Sequence, residues 1–162
     1  MYRSAPLRDE HRLDEFESGE PDLDRWLRDH ARAAEAKRTA RTFVWVDADG
    51  RVAGYYAIAA HKVARAGLPR RLGRGDPAEV PAVLLAKLAL HKELHGRGLG
   101  ATLLADALDR VVDASRIAGA RYVVVDAIDD AASDFYAHHG FVQVPGLDRL
   151  VRKVADLDED RP

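Results

Sequence analysis

The sequence has no cysteine, which excludes disulfide bonds, zinc–thiolate sites and a cysteine nucleophile. No apolar run approaches the ~20 residues that a membrane-spanning helix needs. The first twenty residues are mostly polar or charged, unlike a signal peptide. We therefore expect a cytoplasmic protein without a membrane partner. Apolar residues make up 47% of the 162 residues, which is enough for the core of a single domain over 1–162.

Positive charge is concentrated in one part of the chain. Between Arg25 and Arg74 there are twelve Lys or Arg against four Asp or Glu, a local charge of +8. The remainder has thirteen against twenty-three, or −10. A basic segment in an otherwise acidic protein indicates a polyanionic partner. A solvated helix face and an arginine-rich loop explain the same pattern equally well.

Hydrophobic periodicity predicts alternating strands and helices. A helix is predicted from an N-cap at Asp22, with Arg25, Arg28 and Arg32 on its solvent side. Further helices are predicted over 98–118 and 130–139, and strands over 2–8, 42–46, 52–60, 83–90, 122–125, 141–144 and 150–154. This order predicts a mixed α/β fold in which 83–90 and 121–127 form a parallel pair.

Two segments are predicted to be irregular. Residues 62–81 combine glycines and prolines with Arg65, Arg70, Arg71 and Arg74, which is typical of a long functional loop that can swing toward a large substrate. Residues 156–162 are expected to be a disordered acidic tail.

The most informative stretch is the run from His95 to Gly100 (HGRGLG), between an apolar strand and a long helix. Its glycines let the backbone approach a ligand closely, and the following helix N-terminus favours an anion. A pyrophosphate would fit there, with Arg97 adding charge. A tight strand–helix connection remains the alternative. The dinucleotide-binding fingerprint fits less well, since no acidic residue ends a clear following strand about twenty residues later.

Together with a second motif, this stretch resembles the GCN5-related N-acetyltransferase family. The second motif is FY-x-x-x-GF, present as Phe135-Tyr136 and Gly140-Phe141. The family loop pattern is Gln/Arg-x-x-Gly-x-Gly/Ala, and here His95 replaces its first residue while Gly98 and Gly100 match. The resemblance implies a mostly antiparallel sheet with a splayed parallel pair, flanked by helices, and acetyl-CoA as co-substrate without a metal.

The resemblance also implies which residues hold acetyl-CoA. The pantetheine arm would pair with the strand backbone, and backbone N–H groups of the loop would hold the pyrophosphate. The implied residues are Leu88, Ala89, Leu90, His95, Gly96, Arg97, Gly98, Leu99 and Gly100. A strand N–H near Leu88 or Leu90 would polarise the acetyl carbonyl. The family's usual Asn six residues before the motif Phe is Asp129 here.

Tyr136 is the predicted catalytic residue, because the family commonly places a tyrosine here near the CoA sulfur. A phenol titrates near ~10 and a thiol near ~8.5, so full proton transfer to the thiolate would be uphill by roughly 2 kcal/mol. A hydrogen bond to the developing thiolate is therefore the favoured role. No general base stands out among His61, His91, Glu93, His138 and His139. Lys87 would either contact substrate or extend its ammonium to the sheet edge.

The N-terminal half is similar to the acetyltransferase toxins of type II toxin–antitoxin modules. The similarity lies in FxSG at 16–19, LDxWL at 23–27, ARTFV at 40–44 and GYYA at 54–57. It implies acetylation of the α-amine of aminoacyl-tRNA, a block of translation, a cognate antitoxin and a homodimer. Phosphate contacts would come from Arg25, Arg28, Arg32, Arg65, Arg70, Arg71, Arg74 and Lys87. The alternatives are acetylation of a small amine or protein N-terminus, and a non-enzymatic CoA-binding module.

Overall fold

The structure is a computed structural model that describes residues 2–160. In chain order its elements are β1 (Ser4–Pro6), α1 (Pro21–Asp29), α2 (Ala31–Lys37), β2 (Arg41–Val46), β3 (Val52–Ala64), β4 (Glu79–Leu90), α3 (Leu99–Ala118), β5 (Tyr122–Asp126), α4 (Asp130–His138), β6 (Val142–Gln143), β7 (Arg149–Lys153) and α5 (Val154–Glu159). The strands form a seven-stranded sheet in the order β1-β2-β3-β4-β5-β7-β6. The predicted mixed α/β fold is therefore confirmed.

The predicted parallel pair is also confirmed, but it is short. In β4 and β5, Ala82 pairs with Tyr122, Val83 with Val123 and Leu84 with Val124. The pairs β1–β2, β2–β3, β5–β7 and β6–β7 are antiparallel. The sheet is thus mostly antiparallel, as the resemblance implied.

The chain separates into two compact units, each assembled from two stretches of sequence. The first comprises Met1–Ala59 and Leu85–Leu108, and the second comprises Ala60–Leu84 and Asp109–Pro162. The single domain expected from the length stays a prediction.

The core of the first unit packs α1 and α2 against the sheet. Its buried members come from the N-terminal loop, the two helices and the strands, and include Leu13, Phe16, Leu27, Ala31, Val44, Val52, Tyr55 and Ala89. In the second unit, buried side chains of the strands and the segments beside them form a separate cluster: Val63, Val80, Ala82, Tyr122, Val124, Val144 and Val151.

The helix predicted from Asp22 is wrong in two respects. It begins at Pro21, whose fixed φ suits the first helical position, and Asp22 lies in its first turn. The backbone leaves helical geometry at His30 (φ −126°, ψ −24°), so that α2 begins at Ala31. Arg25 and Arg28 therefore belong to α1 and Arg32 to α2.

The irregular loop is shorter than predicted. Strand β3 extends to Ala64 and β4 starts at Glu79, which leaves 65–78 between them. The acidic tail is also more ordered than expected up to residue 159, where α5 buries Val154 and Leu157. Ion pairs of Asp158 with Arg116 and of Asp160 with Arg152, both at 2.6 Å, add to this burial. Residues 161–162 of the predicted tail lie outside the described residues.

A carboxylate on α3 fixes this helix to the sheet in the first unit. Asp106 accepts hydrogen bonds from the Trp45 indole N–H at 3.1 Å, the Tyr56 hydroxyl at 2.7 Å, and the backbone N–H and hydroxyl of Ser4. Burial alone would raise the pKa of Asp106, but these hydrogen bonds together outweigh it and hold the pKa below its usual value. The sequence offered no signal for this network.

Replacing Asp106 tests the network as a source of stability. Asp106→Asn leaves the donors competing for one acceptor oxygen, so we expect the free energy of unfolding to fall by about 1–3 kcal/mol at pH 7. A lowered folded-state pKa gives stability that is present above the unfolded pKa of ~3.9 and lost as pH falls through the folded pKa. The difference between wild type and variant, measured by urea denaturation, should be constant from pH 5 to 8 and shrink below about pH 4. A difference that persists undiminished at pH 3 contradicts the assignment.

Candidate active site

The connection between β4 and α3 exposes its backbone. Residues 95–98 are exposed, and Leu99 and Gly100 open α3. Within residues 2–160, no backbone carbonyl accepts a hydrogen bond from the N–H groups of Gly96, Arg97 or Gly98. These donors stand at the positive end of the 20-residue helix α3, which favours an anion.

Two glycines shape this connection. Gly96 has φ +77° and Gly98 has φ +73°, a backbone region that residues with a Cβ rarely adopt. A Cβ at either position would meet no atom within 4 Å. The space beside the backbone is therefore open to a ligand, and the loop fits the pyrophosphate that the sequence predicted. Assignment of the residues from His95 to Gly100 to this ligand stays a prediction.

Hydrogen bonds to neighbouring segments hold the beginning of this connection in place. The His91 N–H donates to the Ala53 carbonyl at 2.8 Å, and the Lys92 N–H donates to the Glu17 carbonyl at 2.8 Å. The His95 ring nitrogen Nε2 lies 2.8 Å from the Leu90 carbonyl oxygen. His95, which stands where the family pattern has Gln or Arg, therefore contacts the end of β4.

The predicted pantetheine strand ends next to this loop. Ala89 and Leu90 are buried and Leu88 is half-buried. On the neighbouring strand a Cβ at Gly54 would lie 3.3 Å from Leu90 Cδ1, so a larger residue there would require the Leu90 side chain to shift. Leu88–Leu90 lie beyond the three residue pairs that join β4 to β5.

Lys87 precedes this strand end on the face that carries α1. Its Nζ lies 5.7 Å from the centroid of the Trp26 ring, and that ring stacks on Tyr55. The half-buried ammonium thus has a cation–π contact. The alternative of a side chain reaching toward the sheet edge is less consistent with this contact, while a substrate contact stays a prediction.

Tyr136 lies on α4 among aromatic rings. Its ring packs edge-on against Phe135 and Phe141, with centroids 5.3 and 5.5 Å away. The side chain is 9% exposed, and burial raises the pKa of its phenol to about 12. Tyr136 therefore keeps its proton throughout the neutral range and can act as a hydrogen-bond donor.

The helix that carries Tyr136 is capped at both ends by local contacts. The Asp129 carboxylate accepts a hydrogen bond from the Ala132 N–H at 2.8 Å, which is the ordinary N-cap role of Asp. At the other end, the Arg152 guanidinium donates to the His139 carbonyl at 3.0 Å. Gly140 has φ +87°, a backbone region that residues with a Cβ rarely adopt, which favours the glycine of the FY-x-x-x-GF motif.

Within residues 2–160, contacts single out none of the five candidate bases. His61 Nε2 lies 3.3 Å from Arg149 Nη1, and His91 Nδ1 accepts the Glu93 N–H. Burial lowers the pKa of His61 and of His139, with nearby cations adding to the effect. In residues 2–160 there is no group of three or more His, Asp or Glu side chains placed to hold a metal. No helix in this range has the length and apolarity to cross a membrane.

The structure separates the predicted phosphate-binding arginines into two groups. Three already have partners: Arg25 pairs with Asp22 at 3.0 Å, Arg32 donates to the His11 carbonyl at 2.8 Å, and Arg65 donates to the Asp76 carbonyl at 2.6 Å. The side chains of the others are exposed and form no ion pair or hydrogen bond within the described chain: Arg28, Arg70, Arg71 and Arg74.

One pair of residues from the N-terminal motifs proves to be internal. Asp24 is buried and accepts hydrogen bonds from the Ser18 N–H at 3.0 Å and the Ser18 hydroxyl at 2.6 Å. The pair ties the loop before α1 to the first turn of that helix. These two residues of the FxSG and LDxWL motifs therefore position α1.

Comparison with known proteins places these features in a family. Residues 6–141 match the model of the family described as Acetyltransferase (GNAT) family. The chain is 44% identical over 140 residues to the tRNA-acetylating toxin of Mycobacterium tuberculosis, which covers 85% of this chain and 84% of the relative.

Solved structures of the toxin AtaT are similar over nearly the whole chain. AtaT complexed with acetyl-methionyl-tRNAfMet has a TM-score of 0.90 at 26% identity, covering 98% of each chain. AtaTR bound with AcCoA has a TM-score of 0.80 at 25% identity, covering 98% of this chain and 96% of that one. A mutant AtaT toxin bound to the C-terminus of the antitoxin AtaR has a TM-score of 0.84 at 25% identity, with the same coverage.

Substitution of Gly98 tests the anion cradle. Gly98→Val places a branched side chain in the open space and strains a backbone at φ +73°, so acetyl-CoA affinity should fall at least about tenfold. Gly119→Val is the matched control, since Gly119 also has φ +73° and no atom within 4 Å of a Cβ. Calorimetric titration of both variants, with melting temperatures for each, separates ligand loss from strain. Equal affinities in the two variants would remove the loop from the site.

Proposed function

The chain belongs to the acetyltransferase (GNAT) family, and we propose that it acetylates the α-amine of aminoacyl-tRNA and so blocks translation. The observation that carries the acetyl-CoA part is the exposed loop of free N–H donors at the start of α3. The identity of 44% to a tRNA-acetylating toxin and the unpartnered arginines support tRNA as the acceptor.

Acetyl-CoA supplies the acetyl group as a thioester. The N–H groups of Gly96, Arg97 and Gly98 would hold its pyrophosphate, with the exposed Arg97 side chain adding positive charge. The backbone of Leu88–Leu90 would hold the pantetheine arm. The AcCoA complex of the similar AtaTR supports acetyl-CoA as the co-substrate.

The acceptor amine needs little help to lose its proton. Ordinary α-amines titrate near ~7.7–8.0, and the electron-withdrawing ester of an aminoacyl-tRNA lowers the value further. Much of this substrate is neutral at cellular pH, whereas a lysine ε-amine near ~10.4 is not. The lack of a well-placed base among His61, His91 and the other candidates therefore agrees with an aminoacyl-tRNA substrate. In the transfer, the amine nitrogen forms the new C–N bond, the C–S bond breaks, and CoA leaves as a thiol.

Tyr136 would stabilise the leaving sulfur through a hydrogen bond. With its pKa at about 12, transfer of its proton to a thiolate of pKa ~8.5 would be uphill by roughly 5 kcal/mol. Burial thus makes Tyr136 a poorer acid than an exposed tyrosine and leaves its donor capacity intact. The proton that neutralises the thiolate then comes from the attacking ammonium or from water.

A role as a toxin also leads to expectations about binding partners and cellular location. A toxin that blocks translation requires a cognate antitoxin, and the complex of AtaT with AtaR supports such a partner. The homodimer and the cytoplasmic location stay predictions. An enzyme that acetylates a small amine would use the same acetyl-CoA site with a different acceptor. Assays with charged tRNA and with small amines as acceptors therefore distinguish the two functions.

The role of Tyr136 predicts a specific kinetic effect. Tyr136→Phe keeps the ring and removes the hydroxyl, so acetyl-CoA affinity should be near normal while kcat falls by ~10²-fold. Because the pKa of Tyr136 is raised to about 12, the wild-type kcat should not decline from tyrosine ionisation between pH 8 and 10. Tyr2→Phe, which removes a hydroxyl from a ring stacked on Trp45, is the control. Normal turnover in Tyr136→Phe would rule out the role.

Acceptor identity is tested with labelled acetyl-CoA and either charged tRNA or an amine library. Changing Arg70 and Arg71 to Glu should abolish most tRNA acetylation, leave acetyl-CoA affinity unchanged and relieve growth arrest in cells that lack an antitoxin. Arg12→Glu with Arg116→Glu makes the same charge change outside the basic segment and should have a much smaller effect. Acetylation of amines but of no charged tRNA would favour the small-amine enzyme.

A further inference from the structure

The segment between β3 and β4 separates its charged and apolar side chains. Leu68, Pro69 and Leu72 are buried or half-buried, with Leu68 and Leu72 packed against the core of the second unit. The side chains of Arg70, Arg71 and Arg74 are exposed. Three cations within five residues repel one another, so a flexible loop would spread them apart.

A buried carboxylate anchors this segment to β5. Asp76 is 5% exposed and accepts a hydrogen bond from the Tyr122 hydroxyl at 2.6 Å. It also forms an ion pair with Arg121. The Tyr122 hydroxyl in turn accepts the Gly73 N–H at 3.1 Å, so one fully buried tyrosine is bonded to both ends of the 73–76 turn.

Arg65 closes the other side of the same segment. Its Nη1 donates to the Asp76 carbonyl at 2.6 Å, and its backbone N–H donates to the Ala78 carbonyl at 3.0 Å. Gly73 lies under this side chain, where a Cβ would be 3.1 Å from Arg65 Cγ. Arg65 is thus engaged with the loop's own backbone, which makes it a poor candidate for a phosphate contact.

We propose that Asp76, Tyr122 and Arg121 form a clamp that holds Arg70, Arg71 and Arg74 in a fixed arrangement for phosphates of the nucleic acid substrate. This inference rests on the proposed function. Burying a carboxylate is unfavourable unless it is fully bonded, and here it receives a hydroxyl and a guanidinium. Arg121 also neutralises Asp76, so that the carboxylate does not weaken the positive field of the arginines. A preorganised group of cations loses less conformational entropy on binding than a flexible one.

The clamp acts through geometry, whereas the arginines act through charge, and the salt dependence of binding distinguishes the two. Each phosphate contact contributes ~0.7–0.9 to the slope of log affinity against log salt. Arg70→Gln with Arg71→Gln should lower both the affinity for a charged tRNA and this slope. Tyr122→Phe removes two hydrogen bonds without changing charge, so it should lower affinity by about three- to tenfold with the slope unchanged.

Asp76→Asn provides a second variant, for which the change in charge and the loss of the clamp have opposite expected effects on tRNA binding. It removes a negative charge beside the arginines, which by charge alone should strengthen tRNA binding. The clamp predicts weaker binding despite this change. If Tyr122→Phe does not fold, Asp76→Asn decides the question on the same measurements. Acetyl-CoA affinity should be the same for wild type, both clamp variants and the arginine variant.

The outcomes separate the clamp from the function on which it rests. Wild-type affinity for tRNA in the clamp variants, with weakened binding in the arginine variant, would overturn the clamp and leave the function standing. A reduced slope in Tyr122→Phe would also overturn it, because contacts would then be lost rather than loosened. If wild type neither binds nor acetylates charged tRNA at any salt concentration, both proposals fall.

Discussion

Within residues 2–160, the peptide N–H groups of Gly96, Arg97 and Gly98 have no backbone acceptor, and contacts on either side of them hold this part of the chain in place. Unsatisfied backbone donors are tolerated at a helix N-terminus that faces solvent or a ligand. Holding them in one arrangement requires anchors, and these come from the Ala53 and Glu17 carbonyls before the loop and from Asp106 within α3. Gly96 and Gly98 have positive φ values, and residues 95–98 are exposed to solvent. The backbone of this loop and the N-terminus of α3 can therefore bind an anion with little contribution from side chains.

The chemistry proposed for this enzyme relies on a substrate that is easy to deprotonate. A buried phenol with a pKa of about 12 is an unsuitable acid and a durable hydrogen-bond donor. Within residues 2–160, contacts single out none of the candidate bases. Both features favour an acceptor that arrives largely neutral, and an aminoacyl ester meets that condition. The low basicity of an aminoacyl ester amine is therefore consistent with a site in which Tyr136 is a hydrogen-bond donor and no strong base is singled out.

The number of Lys and Arg residues in the sequence overstates how many side chains are available to bind phosphates. The basic segment holds twelve cations, but several are used inside the protein: Arg32 and Arg65 on backbone carbonyls, Arg25 on Asp22, and Arg41 on Glu35. Surface ion pairs such as the last two are weak and can be exchanged for phosphate contacts. The hydrogen bonds of Arg32 and Arg65 to backbone carbonyls are harder to exchange, because breaking them would leave the loop segments that they support without these contacts. The unpartnered arginines are the ones that can bind without disturbing the structure.

The sequence by itself determined the fold class, the glycine loop and the motif around Tyr136, since hydrophobic periodicity and positive-φ glycines are local properties. It predicted the parallel pair of β4 and β5, although not that it ends after three residue pairs. It missed the break at His30, the extension of β3 to Ala64, and helix α5, which buries Val154 and Leu157. Only the tertiary structure decided that Asp24, Asp76 and Asp106 serve as internal acceptors, because their partners lie 6 to 102 residues away along the chain. A carboxylate's role is set by the donors that folding brings to it, and sequence spacing carries no record of them.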